Sequence, residues 1–416
     1  MDPIPLPSIV RIRQRFDSAR LLDIQAHTRK ELDKPGMLER IQPGQRVAVA
    51  VGSRGIRDIA LIVRTILDRL KEAGAHPFIV PCMGSHGGAT AEGQLEILKQ
   101  LGITEKTMDV PIAASMEVVQ LDTLENGIPV YADRLATEAD AIVVVNRIKP
   151  HTAFRGPYES GLMKMIAIGL GKQKGAEAIH KPGFKHMAQN MPAAARALMR
   201  KLPIVFGVAI IENAYDQTFM IEGVPVERIE EREKELLIEA RKRMPKLLFE
   251  QIDVLVVDYI GKNISGDGMD PNVTGRYPTP YAYGGPDITK IVALDLTPES
   301  KGNAAGIGLS DFTTRRLVSK MDAEATYANG LTSTVCLPCN ISVTMENDLY
   351  AIKAAIKTCN IMNYHQCRLV RIRNTLQLEE IEISISMLEE ARSRTDIEIL
   401  SEPYELSFDS NGNLFS

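Results

Sequence analysis

Residues 46–74 read RVAVAVGSRGIRDIALIVRTILDRLKEAG, and residues 76–102 read HPFIVPCMGSHGGATAEGQLEILKQLG. Each stretch opens with an apolar, β-branched run, passes through a Gly-Ser-x-Gly turn, continues with helical spacing of apolar residues and ends in glycine. That is strand, loop, helix, written twice. In an open sheet built from such units, the loops that follow the strands share one edge, where ligands usually bind. Arg54 and His86 occupy matching positions 32 residues apart and are expected in one crevice.

The pattern continues outward from this pair. DAIVVVN at 140–146 predicts a further strand that delivers Lys149, Pro150 and His151 to the same edge. IVFGVAIIEN at 204–213 predicts another strand, and PVERIEEREKELLIEARKR at 225–243 an amphipathic helix expected to cover a sheet. After Pro245 a fresh series begins: IDVLVVDYI at 252–260 as a buried strand, then the Gly- and Asn-rich GKNISGDGMDPNVTGRYPTP. KIVALDL at 290–296 reads as a strand, while SDFTTRRLVSKM at 310–321 and NDLYAIKAAIKTC at 347–359 read as helices. Such alternation argues for α/β layers.

With 416 residues, 44% of them hydrophobic, the chain exceeds the size at which single cores stop growing, about 250–300 residues. The expectation is two α/β domains with an active-site cleft between them. Residues 1–248 form the catalytic and cofactor-binding domain, and 249–416 a domain that closes the cleft.

Lys plus Arg total 49 against 53 Asp plus Glu, and the net charge of −4 supplies no global field for nucleic acid or an anionic membrane. The first thirty residues place prolines and charges where a signal peptide needs an apolar run, and no later run nears the ~20 apolar residues of a membrane span. A cytoplasmic protein acting on a small molecule is expected. The five cysteines are odd in number and scattered, so reduced thiols are expected. Cys336 and Cys339 have CxxC spacing without a second pair, and buried thiols are the simpler reading.

Of seven histidines, His86, His151 and His180 sit in stretches crowded with glycine or proline. Imidazole exchanges protons near neutral pH and ligates metals. Taken singly, each reads equally well as a solvated loop residue. It is their joint placement that points to a site.

MGSHGGAT at 83–90, KPHTAFRG at 149–156 and ESGLMKMIAIGLGKQKGAEAIH at 159–180 together resemble the nickel-pincer lactate racemase family. The family's cofactor is nickel held in pyridinium-3,5-bisthiocarboxylic acid mononucleotide. The resemblance implies that His86 and His151 are the two acid/base residues, that Lys164 bonds the cofactor, and that His180 ligates nickel. The interval of sixteen residues from Lys164 to His180 is its most specific feature. It also implies a requirement for cofactor-biosynthesis proteins.

The chemistry explains these residue types. Inverting a 2-hydroxy acid by this route takes a base for the hydroxyl of each enantiomer and a hydride acceptor. Histidine suits both base roles, worth about 10²–10⁴-fold, and a cofactor must provide the acceptor. Lys164 precedes the apolar run MIAIGLG, which favours a neutral, nucleophilic amine. His180 suits the remaining position of a square-planar nickel site.

The loop GSRGIRD at 52–58 opens a helix, so backbone N–H groups near Ser53 can hold a phosphate or carboxylate, with Arg54 adding a bidentate contact. Lys262 and Arg276, in the loop after the 252–260 strand, are further candidates for the substrate carboxylate. The chain departs from the family pattern at Val51, where an aspartate is usual, at Leu162-Met163, where the family has a glycine pair, and in having no tryptophan. The expected activity is racemisation or epimerisation of a 2-hydroxy acid, lactate-like or, given these departures, larger and more polar, such as a sugar acid. Two other functions fit the same residues: a zinc- or iron-dependent hydrolase or lyase, and a non-catalytic ligand-binding homologue.

Overall fold

The computed structural model describes residues 4–53 and 55–415. The chain forms two compact units, one of Asp17–Met244 and one in which the stretch ending at Phe16 joins the described residues from Pro245 onward. In chain order the strands are β1 Ile9–Gln14, β2 Arg46–Val51, β3 His76–Pro81, β4 Val118–Thr123 and β5 Pro129–Asp133. Then come β6 Ala141–Arg147, β7 Ile204–Glu212, β8 Thr218–Pro225, β9 Gln251–Ile260 and β10 Asp287–Leu296. The last are β11 Phe312–Thr314, β12 Val343–Met345, β13 Leu369–Ile372, β14 Glu380–Ser384 and β15 Ile397–Ile399.

In the unit Asp17–Met244, a five-stranded sheet runs β3-β2-β6-β7-β8. Its first four strands are parallel, and β8 is antiparallel to β7. β2 and β3 are buried at every position after the first, because helices cover both faces, and this is why they read as unbroken apolar runs. The helix Ile59–Glu72 buries Ile59, Ile62, Val63, Ile66, Leu67 and Leu70 on one stripe against that sheet. It stops at Gly74 (φ 82°), where the next N–H, of Ala75, bonds to Leu70 O at 3.0 Å. The helix Ala91–Gln100 stops the same way at Gly102, so the sequence repeat is a structural one.

β3 and β6 flank β2 on opposite sides, so the direction of winding reverses there. The loops after β2, β3 and β6 all leave the carboxyl edge at this switch point, the usual ligand-binding place in such sheets. A separate hairpin pairs β4 with β5.

The other unit holds an eight-stranded sheet, ordered β12-β11-β10-β9-β13-β14-β1-β15. β9 to β13 are mutually parallel, and β14, β1 and β15 are antiparallel. Here the expected boundaries, 1–248 and 249–416, need correction at both ends. β1 pairs with β14 and β15, and its Ile9, Val10 and Ile12 are completely buried in this unit. Leu247 and Leu248 also pack in this core, with the Leu248 N–H bonded to Gln14 Oε1 at 2.8 Å. Residues 310–321, expected as one helix, divide into β11 and the helix Arg315–Ser319. The Thr314 hydroxyl accepts the Leu317 N–H and starts that helix late. Among the described residues, no helix is long and apolar enough to cross a membrane.

Candidate active site

β2 runs out into Gly52 and Ser53, and the Ser53 hydroxyl is hydrogen-bonded to Nδ1 of His86, from the loop after β3. Arg54, expected beside them, lies outside the described residues. His86 is exposed at the loop's tip. Its backbone is held from below by the fully buried Gln94, whose Nε2 donates to Gly84 O at 2.9 Å and His86 O at 3.3 Å.

The loop after β6 closes on itself through paired backbone bonds between Lys149 and Ser160. Glu159 is fully buried at its base, accepting the N–H of His151 at 2.7 Å and of Gly156 at 3.2 Å. The guanidinium groups of Arg155 and Arg241 neutralise it. The Ala153 N–H donates to His151 Nδ1 at 3.0 Å, so in the neutral ring the proton is on Nε2. The half-buried His151 ring lies against Phe154 and Phe184, with centroids at 4.6 and 6.0 Å.

Lys164 ends a helical turn, Leu162–Lys164, whose Met163 N–H donates to Glu233 Oε2 at 2.8 Å. Burial pushes the Glu233 carboxyl up to about 7. A π-helical turn, Met165–Gly169, follows at once, a feature common at functional sites. It packs directly on the loop after β3: Cys82 Sγ donates to Met165 O at 3.4 Å, and Gly84 N–H to Gly169 O at 3.3 Å. The half-buried Lys164 is thereby carried to the edge where Ser53 and His86 meet.

His180 ends the helix Lys172–His180, with Nδ1 donating to Ala176 O at 2.6 Å. That leaves the Nε2 lone pair for a ligand. Burial holds this imidazole below its ordinary pKa, and the charge of Lys164 lowers it further, so the neutral form prevails. His180 lies edge-on to Phe184 at 5.5 Å, so one phenyl ring contacts both His151 and His180.

The candidates of the other unit do not come together. Lys262 follows the carboxyl end of β9, its N–H on Ser300 Oγ and its ammonium on Gly266 O. Arg276 pairs with Asp311 at 3.1 Å and donates to Ile288 O at 3.2 Å, at the amino ends of β10 and β11. These are opposite edges of the parallel part of the sheet, and the Arg276 guanidinium is already engaged in an ion pair. Cys336 is exposed and Cys339 buried, both as free thiols. Among the described residues, no three His, Cys, Asp or Glu side chains gather as a metal-ligand set. A zinc site with three protein ligands is therefore not formed by His86, His151 and His180.

Sequence reading missed Gln94, Glu159, Glu233 and Arg241. For Glu233 a signal existed: an acid on the same stripe as Ile229, Leu236, Leu237 and Ala240 is buried and requires a partner. Arg241 and Glu159 carried none, since solvated charges in a helix and a loop look the same.

The fold is that of an α/β protein, with His86, His151, Lys164 and His180 all on the unit that holds the five-stranded sheet. Residues 17–191 match the family described as lactate racemase N-terminal domain. The match begins where the compact unit begins, at Asp17, and spans Ser53, His86, His151, Lys164 and His180. In fold the chain is similar to the lactate racemase apoprotein from Thermoanaerobacterium thermosaccharolyticum, with a TM-score of 0.53 and 13% identity over 89% of this chain and 99% of that one. No curated protein matches the chain.

Proposed function

We propose that this protein is a racemase or epimerase of a 2-hydroxy acid, working by reversible proton and hydride transfer with a nickel-pincer nucleotide. The carrying observation is the state of His180: Nδ1 donates to Ala176 O, burial keeps the ring neutral, and Nε2 is the donor atom a metal requires. Lys164, close enough for its charge to depress His180, is the attachment residue. The turn at Gly52 and Ser53 offers N–H groups to the nucleotide phosphate. Bound there, the cofactor supplies the hydride acceptor that no side chain provides.

The chain's own residues handle the proton. His151, whose Nδ1 accepts from Ala153, exchanges it at Nε2. His86, whose Nδ1 meets the Ser53 hydroxyl, does the same from the other loop. One imidazole serves each enantiomer, so the reaction runs both ways. Arg54 is the cation assigned to the substrate carboxylate. Small residues about His86 (Gly84, Ser85, Gly87, Gly88) and the lack of tryptophan favour a substrate bulkier or more polar than lactate.

The test is nickel analysis and peptide mass spectrometry on protein co-produced with cofactor-making enzymes, followed by racemisation assays on lactate, malate, 2-hydroxyglutarate and aldonates. Equimolar nickel lost on His180→Ala, an adduct on Lys164 and turnover of one of these acids are expected. Turnover of lactate alone overturns the substrate preference; no nickel, no adduct and no turnover overturn the function.

A further inference from the structure

Lys172 stands eight residues after Lys164 and takes no part in the chemistry above. Its side chain has no exposed surface, and its backbone adopts φ 53°, a left-handed conformation unfavourable for any residue with a Cβ. Lysines are almost never fully buried unless paired, and strained backbone persists where the surroundings over-determine it, often at functional sites.

The partners of the ammonium explain its burial. Nζ lies 2.9 Å from Asp133 Oδ2, donates to Gln94 Oε1 at 3.1 Å and donates to Pro81 O. These belong to the end of β5, the helix Ala91–Gln100 and the end of β3. The ammonium is held by two hydrogen bonds, to Pro81 O and Gln94 Oε1, and by the ion pair with Asp133. Asp133 is itself held independently, its Oδ1 accepting the Ala136 N–H at 3.0 Å.

The contacts lead in two directions. Gln94, with its Oε1 engaged by Lys172, turns its amide N–H groups to Gly84 O and His86 O. Lys172 also begins the helix that ends in His180. We infer that Lys172 is a positioning residue that sets the His86 loop against the His180 helix, acting through Gln94. Replacing it by an apolar side chain leaves two buried acceptors without their donor and the Asp133 carboxylate without its counter-ion, and lets Gln94 turn away from the loop.

The effect of Lys172 on turnover rests on the function proposed above, but its effect on the His86 loop does not. Amide hydrogen exchange across residues 82–90 of the full chain is compared in wild type, Lys172→Met and Gln94→Met. Exchange about tenfold faster in 82–90, with residues 141–151 unchanged, is expected in both variants. Gln94→Met keeps the Lys172–Asp133 pair and decides the matter if Lys172→Met does not fold. Unchanged exchange at 82–90, or equal acceleration throughout the unit, overturns the proposal. In loaded enzyme, both variants should lower kcat more than they alter KM, while nickel content stays constant. Wild-type protein that racemises no 2-hydroxy acid sinks the function and leaves the exchange result standing.

Discussion

The backbone N–H of His151 and the carboxylate of Glu159 meet at 2.7 Å, tying a half-buried imidazole to an acid with no exposed surface. Two arginines from different elements, Arg155 and Arg241, balance that acid.

Glu159→Gln keeps the shape of this anchor and removes its charge, leaving both guanidinium groups without their counter-ion. Turnover is expected to fall about 10–100-fold, as when a partner that orients a functional residue is lost. Chiral chromatography of the product and metal analysis together check this, since nickel content should not change.

His86→Asn and His151→Asn each remove one proton-exchanging group. Racemisation should drop by about 10²–10⁴-fold in either variant. Because neither ring is fully buried, thermal melting should move little. A large loss of stability in both would assign these residues to the fold instead.

Glu233 makes stability depend on pH. Its carboxyl is raised from 4.5 to about 7 by burial, so the folded state binds its proton more tightly than the unfolded state does. Stability from this group is present below the unfolded value and is lost as pH rises through the folded one, by up to about 3 kcal/mol. Glu233→Gln should flatten the melting temperature across that window and gain on wild type as pH rises.

Gly169 and Gly52 should respond differently to alanine. A Cβ at Gly169 meets Met165 Sδ at 2.6 Å, Cys82 Sγ at 2.7 Å and the Cys82 carbonyl oxygen at 2.9 Å. The backbone atom cannot give way, so Gly169→Ala should cost about 1–3 kcal/mol, read by chemical denaturation. At Gly52 the close contact is the mobile Met165 Cε, and Gly52→Ala should cost less.

The strand–loop–helix repeat, the placement of His86 and His151 after strands, and the buried strand at 252–260 were all legible in the sequence. Each is a local pattern: burial on a sheet or a helix stripe imposes a period on neighbouring residues. The domain boundary was not legible, because β1 finds its partners among residues 380–399. Nor was β11, a three-residue strand inside a stretch with helical spacing.

By itself, then, the sequence determined the α/β class, the carboxyl edge on which His86 and His151 lie, and the family resemblance carried by His86, His151, Lys164 and His180. Tertiary structure alone decided what holds them there. Glu159 meets Arg241 across 82 residues, Met163 meets Glu233 across 70, and Lys172 meets Pro81 across 91. Periodicity records which side of an element is buried, but not which polar or charged group waits on the far side of the core. Pairing of buried charges is settled only when the chain closes, and an unpaired one would be too costly to keep.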